Sequence, residues 1–281
     1  MSDGTPELIG KLAAEPARFP TRRSRVGRAV RDQALPMAAV VCIFAAWEGF
    51  VRLRGIQPIY LPAPSAIAGY LYRMTADGTF PYHLAVTVLR ILGGFAVAAV
   101  TGVAAGLLMG MSSVAARIAD PLIAALYPLP KVSLIPLLII WLGTGEPYKI
   151  VISAITAFFP IVINTYVGVR QTDPGLVKAA EDLGANLRQI QLKVMIPSAV
   201  PSIFAGFRLG MGVAIILIVA AEMIGGRSGM GYLLIHAGQV LETEKVFASL
   251  IVLAILGVVV TKLQEAFDRR VAPWAVGSEG T

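Results

Sequence analysis

Hydrophobic positions along the chain come in long runs rather than short alternations. Six segments approach the ~20 apolar residues that a helix needs to cross a hydrocarbon core: residues 34–51, 84–111, 118–143, 150–169, 203–224 and 246–263. Backbone N–H and C=O groups must be paired inside lipid, so runs this long are expected as helices. A membrane barrel would need short alternating segments, which the sequence lacks. The expected fold class is therefore all-α and integral to a membrane, with about six transmembrane helices. The second run is long enough to tilt. The third is punctuated by Pro121, Pro128, Pro130 and Pro136, which should interrupt it and free backbone carbonyls.

The intervening segments are polar and fall into a clear order. Residues 1–33 mix Pro, Gly, Ser and Arg without apolar periodicity and are expected to be a flexible basic tail. A cleaved signal peptide does not fit, because the basic stretch is long and the apolar run lacks a small-residue cleavage site. Residues 34–82 hold the first span and an external loop. In that loop Ser65 is expected to cap a short amphipathic helix reaching Met74, with Ile67, Tyr70, Leu71 and Met74 on one side at the membrane interface. An ordinary surface loop is the alternative. Residues 83–270 hold the remaining spans, and 271–281 form a C-terminal tail.

Composition agrees with the pattern. The 281 residues are 56% hydrophobic and only 15% charged, against about 45–50% and 25% in soluble domains. That excludes a disordered chain, a disulfide-stapled domain and an ordinary cytosolic enzyme. Cys42 has no internal disulfide partner, and two histidines cannot supply a Cys/His cage, so no metal site is expected. The net charge of +7 comes without a basic stripe interleaved with aromatics, so membrane lipid rather than nucleic acid is the expected contact. With the N-terminus inside, Lys and Arg of the inner segments outnumber those of the outer ones by more than two to one. This asymmetry predicts both termini in the cytoplasm.

Residues 170–197 are the most informative segment between spans. Asp173 can cap a helix opened by Pro174, whose missing N–H costs nothing at that position. Gly184 sits where a helix end wants a left-handed residue. Asn186 can cap a second short helix expected to end before Pro197. The first helix groups Leu176, Val177, Ala180 and Leu183, and the second presents Leu187, Ile190 and Val194. A loop without a task needs no apolar residues at helical spacing, and the small Ala179 and Ala180 allow close approach. The pair reads as a docking element for a soluble partner, or as helices packed beneath their own bundle.

The run Lys178-Ala179-Ala180-x-x-x-Gly184, nine residues, then Val194-Met195-Ile196-Pro197 resembles the EAA loop of ABC importer permeases. The family's leading Glu is Lys178 here, with Glu181 one turn later. Further blocks are similar to the nitrate/sulfonate/taurine branch, in the same order. They include Leu61-Pro62-Ala63-Pro64-Ser65, Tyr127-Pro128-Leu129-Pro130-Lys131, Trp141-Leu142-Gly143-Thr144-Gly145-Glu146 and Ala221-Glu222-Met223. The resemblance implies a type I ABC importer permease fold over residues 83–270 and a bacterial inner-membrane location. It implies two permease copies, ATP-binding subunits that carry ATP and Mg, and an extracytoplasmic substrate-binding protein. It also implies coupling to the ATPase through Lys178, Ala179, Ala180, Glu181, Gly184, Asn186 and Pro197.

The chain lacks a G-x-x-x-x-G-K-[ST] phosphate loop, and its Gly10-Lys11 pair is followed by Leu12. ATP hydrolysis is thus expected on a separate subunit, with no cofactor in this chain. Ionisable and amide groups at membrane depth are costly and mark candidate sites. Lys131 could attract an anionic solute, or bind carbonyls freed by its neighbouring prolines. Arg208, near the inner start of the fifth span, is expected to snorkel or bond the coupling loop rather than touch solute, and with Lys131, Asn164 and Glu222 it makes up the candidate translocation path. Glu222 is expected to pair with Arg227 or gate the exit, and Asn164 to hydrogen-bond between helices. Glu48 is expected at the outer interface, and His83 and His236 in solvent. Gly206, Gly210, Met211 and Gly212 form a small-residue face suited to close packing or, alternatively, to lining a pore. An ion-gradient-driven secondary transporter is the rival class, disfavoured by the scarcity of buried carboxylates for a relay.

Overall fold

The computed structural model describes residues 22–271, and all their regular structure is helical. The chain divides into residues 1–56 and 57–281. The first unit holds α1 (Arg22–Arg54), which contains the expected first span. Residues 22–33 are therefore helix rather than irregular tail. They contain no proline and several arginines, which are good helix formers, so the helix extends back from the apolar run. The remainder of both expected tails, 1–21 and 272–281, lies outside the described residues. Near the end of α1, Glu48 accepts from Arg52 one turn on at 2.5 Å.

The second unit runs α2 (Pro64–Ala76), α3 (Thr79–Met111), α4 (Ser113–Leu126), a 3-10 turn (Lys131–Ser133), α5 (Leu134–Leu142) and α6 (Pro147–Arg170). It continues with α7 (Pro174–Asp182), α8 (Leu187–Ile190), a π-helical segment (Gln191–Met195), α9 (Ile196–Gly225), α10 (Met230–Gln239) and α11 (Thr243–Val271). Helices α3, α6 and α11 and the run Leu187–Gly225 are each long and apolar enough to cross a membrane. The expected third span is instead a broken pair, Ser113–Leu126 with Lys131–Leu142, bent by 81°. The break falls at Tyr127–Pro130, where two prolines remove donors as the sequence predicts. Pro136 is tolerated in the first turn of α5, where the N–H has no helical partner anyway.

Helix α2 is capped differently from expectation. Ala63 is its N-cap and Pro64 its first residue, so Ser65 lies inside the helix. Proline at the opening position fixes φ for the first turn and moves the boundary one residue earlier. Its inward side is as predicted, with Ile67 buried and Tyr70, Leu71 and Met74 half-buried.

Small residues let three long helices approach closely. On α3 a Cβ added to Gly94, Gly102, Gly106 or Gly110 would strike Ser153, Ile161, Thr165 or Val169 of α6, with contacts of 2.3, 2.8, 2.5 and 2.5 Å. Both series advance together, so α3 and α6 run parallel. Gly206 meets the Pro160 carbonyl of α6 at 3.1 Å and Gly210 that of Ala157 at 3.1 Å, so α9 runs antiparallel to α6. Gly212 meets nothing within 4 Å and is not part of this face. Where lipid supplies no hydrophobic drive between helices, such close dispersion contacts hold the bundle. Ile135, Leu138, Tyr148, Ile152, Leu217 and Ala221 seal α5 against α6 and α9.

Candidate functional site

Two constellations lie at opposite ends of α6 and α9. The first is the elbow between them, residues 170–197. Asp173 caps α7 by accepting from the Gly175 N–H at 2.7 Å. Gly184 follows α7 with φ +80°, a conformation that costs a side chain with a Cβ about 1–2 kcal/mol. Asn186 and Gln189 form a reciprocal capping box at 3.0 and 2.8 Å. These three local features stand where the sequence placed them.

The second helix does not end before Pro197. It passes through the π-helical Gln191–Met195 directly into α9. Proline lacks the N–H that would bond the carbonyl four residues back, and its ring clashes there. A π bulge just before it widens the turn and relieves both problems.

Burial sorts the elbow's apolar residues. Val177 and Ala180 are half-buried and Ile190 is buried, whereas Leu176, Leu183 and Leu187 stand 53%, 89% and 69% exposed. Lys178, Ala179, Glu181 and Gly184 are exposed beside them. Lys178 and Glu181 also line a hollow of about 370 Å³ with Met195, Val169 and Gly110. The elbow thus exposes leucines and the small Ala179, while Lys178 and Glu181 border the hollow toward the bundle.

The second constellation surrounds Arg90 of α3. Its Nε and Nη2 donate to the two oxygens of Glu146 at 2.6 Å each. Nη1 donates to Glu222 Oε1 at 2.7 Å and to the Ser228 carbonyl at 2.7 Å. Nη2 also reaches Ser228 Oγ at 2.9 Å. All five guanidinium N–H groups thus have acceptors. Glu222, fully buried, further accepts from the Thr87 hydroxyl at 2.9 Å and the Gly231 N–H at 3.0 Å. Lys149 donates to Glu146 at 3.1 Å, giving two cations and two carboxylates. Buried charge is tolerated when paired and hydrogen-bonded in this way. The Arg90 hydrogen bonds hold the Glu146 carboxyl down at about 2, against an ordinary value of 4.5.

This cluster corrects several expectations. Glu222 pairs with Arg90 rather than Arg227, because it lies a full turn inside α9 and faces α3. His83 is half-buried and its Nδ1 accepts from the Gly229 N–H at 2.9 Å, whereas His236 is exposed. Arg90, Glu146 and Thr87 were not among the candidates from sequence. A lone arginine within an apolar run was the available signal, since such a charge needs a buried counter-charge.

The other candidates stay apart from both constellations. Lys131 donates to the Tyr127 carbonyl, one freed by the proline break, and its ammonium lies 4.8 and 4.9 Å from the Tyr127 and Phe159 ring centroids. Asn164 Nδ2 bonds the Pro160 carbonyl of its own helix at 2.8 Å rather than another helix. That carbonyl lies one turn back, so the amide reaches it without leaving α6. Arg208 pairs with Asp268 of α11 at 2.7 Å, not with the elbow, because α11 packs beside the start of α9.

The profile of the family described as "Binding-protein-dependent transport system inner membrane component" matches residues 98–273. The chain is 32% identical over 249 residues to the taurine transport system permease protein TauC of Escherichia coli (strain K12), covering 87% of this chain and 90% of that one. It is 33% identical over 272 residues to the permease protein SsuC of Bacillus subtilis (strain 168), named for aliphatic sulfonates transport, covering 97% of each. Similarity extends to the riboflavin transport system permease protein RibX of Chloroflexus aurantiacus, 30% identical over 228 residues, with 81% and 85% covered.

Proposed function

The chain belongs to the family of binding-protein-dependent transport system inner membrane components, and from that premise we propose that residues 174–196 receive motion from an ATP-binding subunit. It is a membrane-embedded permease subunit of an ABC importer, working with ATP-binding subunits and a substrate-binding protein. The observation that carries the coupling role is the exposure of Leu176, Leu183 and Leu187 on a helix pair fixed by two caps and a left-handed glycine. Exposed leucines on a rigid elbow outside the bundle suit a cleft in a soluble partner.

In this reading the permease passes between outward-open and inward-open arrangements whose balance its partners bias. Two copies form the pathway, both termini lie in the cytoplasm, and hydrolysis belongs to the partner because the sequence lacks a phosphate loop. The solute is a small acidic compound of the sulfonate or taurine kind, supported by the names of two relatives.

The test places a cysteine at Asn186 in a Cys42→Ser background and probes intact cells with an impermeant thiol reagent. Protection in cells, labelling in inverted vesicles, and protection again on adding the ATP-binding subunit are expected. Labelling from outside would end the coupling proposal.

A further inference from the structure

We propose that His83 is a proton-operated latch: neutral, it holds the turn between α9 and α10 against α3, and a proton from the outer side releases that turn. The latch lets external acidity reach the helix that the elbow moves. The side rests on the permease reading above, because the turn lies at the end of α9 opposite the elbow.

His83, Thr87 and Arg90 stand four and three residues apart on α3, a spacing that puts them on one face. That face takes the turn residue by residue. Arg90 donates to the Ser228 carbonyl and hydroxyl. The Gly229 N–H donates to His83 Nδ1 at 2.9 Å, the Met230 N–H to the Thr87 hydroxyl at 2.8 Å, and the Gly231 N–H to Glu222 at 3.0 Å. These three are amides that the start of α10 leaves without helical partners. Gly229 has φ +104°, and a Cβ there would lie 2.2 Å from the Glu222 carboxyl, so the turn threads between that carboxyl and the α3 face. All these contacts lie within one chain and do not depend on how copies assemble.

An imidazole nitrogen that accepts an amide N–H carries no proton, and once protonated it can only donate. A proton arriving at His83 goes to Nδ1 and sets donor against donor at Gly229. Histidine is the side chain whose charge ordinarily changes between about pH 5 and 8. Thr87 and Arg90 do not change state in that range, and Glu146, held at about 2, stays charged. Around the ring stand Tyr82 of α3 at a centroid separation of 5.0 Å and Tyr232 of α10 at 6.0 Å, with His236 5.7 Å beyond Tyr232. The charges acting on it are Lys245 of α11, itself paired with Glu242 at 3.2 Å, and Arg90. An imidazolium here loses its amide and meets two cations.

Hydrogen exchange on the assembled importer in lipid nanodiscs tests the latch. Peptic fragments covering residues 226–233 are followed at about pH 7.5 and about pH 5, with variants compared only within one pH. His83→Leu lacks the acceptor, whereas His83→Asn puts an amide oxygen near the place of Nδ1 and does not titrate. At the higher pH the Gly229 amide of wild type should exchange about 3–10-fold more slowly than in His83→Leu, as expected for one hydrogen bond. At the lower pH the two should agree within about twofold, while His83→Asn stays slow at both. Equal rates in wild type and His83→Leu at the higher pH, or a difference that persists at the lower, overturn the latch. Protection lost by His83→Asn only on acidification, or a wild-type response abolished by His236→Gln, assigns the proton elsewhere and overturns it too. Should His83→Asn match His83→Leu throughout, the comparison of wild type with His83→Leu alone decides.

ATP hydrolysis by the same importer is read as the ratio of wild type to His83→Asn, which cancels the motor's own pH response. The ratio should move by about twofold or more on acidification, in the sense that His83→Leu shows at the higher pH. A constant ratio overturns the link from the latch to the elbow's helix while the permease reading stands, and the exchange arm reads the latch whether or not the elbow couples.

Discussion

Arg90 and Glu222 are joined at 2.7 Å across 132 positions of sequence, with side chains 4% and 0% exposed. Removing one partner leaves the other charge buried without compensation, which costs about 3–5 kcal/mol. Arg90→Ala should therefore lower the melting temperature sharply in detergent. Arg90→Lys should rescue little, because an ammonium cannot reproduce the paired fork to Glu146 while reaching Glu222. Wild-type melting in either variant would show that the cluster does not hold α3 to α9.

Glu146 supplies a pH prediction with a definite sign. Its carboxyl is depressed to about 2, so the tether to Arg90 stabilises the fold above the ordinary carboxylate range and fades as pH falls from 4.5 toward 2. The melting difference between wild type and Glu146→Gln should be constant from about pH 5 to 8 and shrink below that window. A difference that grows on acidification would contradict the assigned charge. The effect is modest because Glu146 is 57% exposed.

Gly94 and Gly212 form a matched pair for testing helix approach. A Cβ at Gly94 would lie 2.3 Å from that of Ser153, whereas one at Gly212 meets nothing within 4 Å. Gly94→Ala should cost about 1–3 kcal/mol through forced separation of α3 and α6, and Gly212→Ala should be neutral. Folded yield and melting temperature distinguish them.

Gly184 separates coupling from folding. Its φ of +80° disfavours a β-branched residue locally, and the position lies outside the packed bundle. Gly184→Val should leave membrane insertion intact while reducing co-purification of the ATP-binding subunit and solute-dependent hydrolysis. Unchanged hydrolysis coupling would remove the elbow from the mechanism.

What was legible in the sequence followed the range of the forces involved. The span positions come from runs of apolar residues, and Asp173, Gly184 and Asn186 obey rules that act within four residues. The Arg90 cluster gathers residues from α3, the loop before α6, the end of α9 and the turn before α10, so no local pattern announces it. The π segment lets the helix run on past Pro197, an outcome that the rule for the residue before a proline does not foresee.

The unbroken helical run Leu187–Gly225 spans 39 residues, about 58 Å of rod. One tip carries the capping box of the elbow, and Glu222, beside the other, grips the arginine of the neighbouring helix. Such a crank needs no relay of side chains between its ends. A tilt of about 5° would swing the far tip by roughly 5 Å, given the helical rise, and the π segment near its handle is where the stroke can be absorbed or passed on.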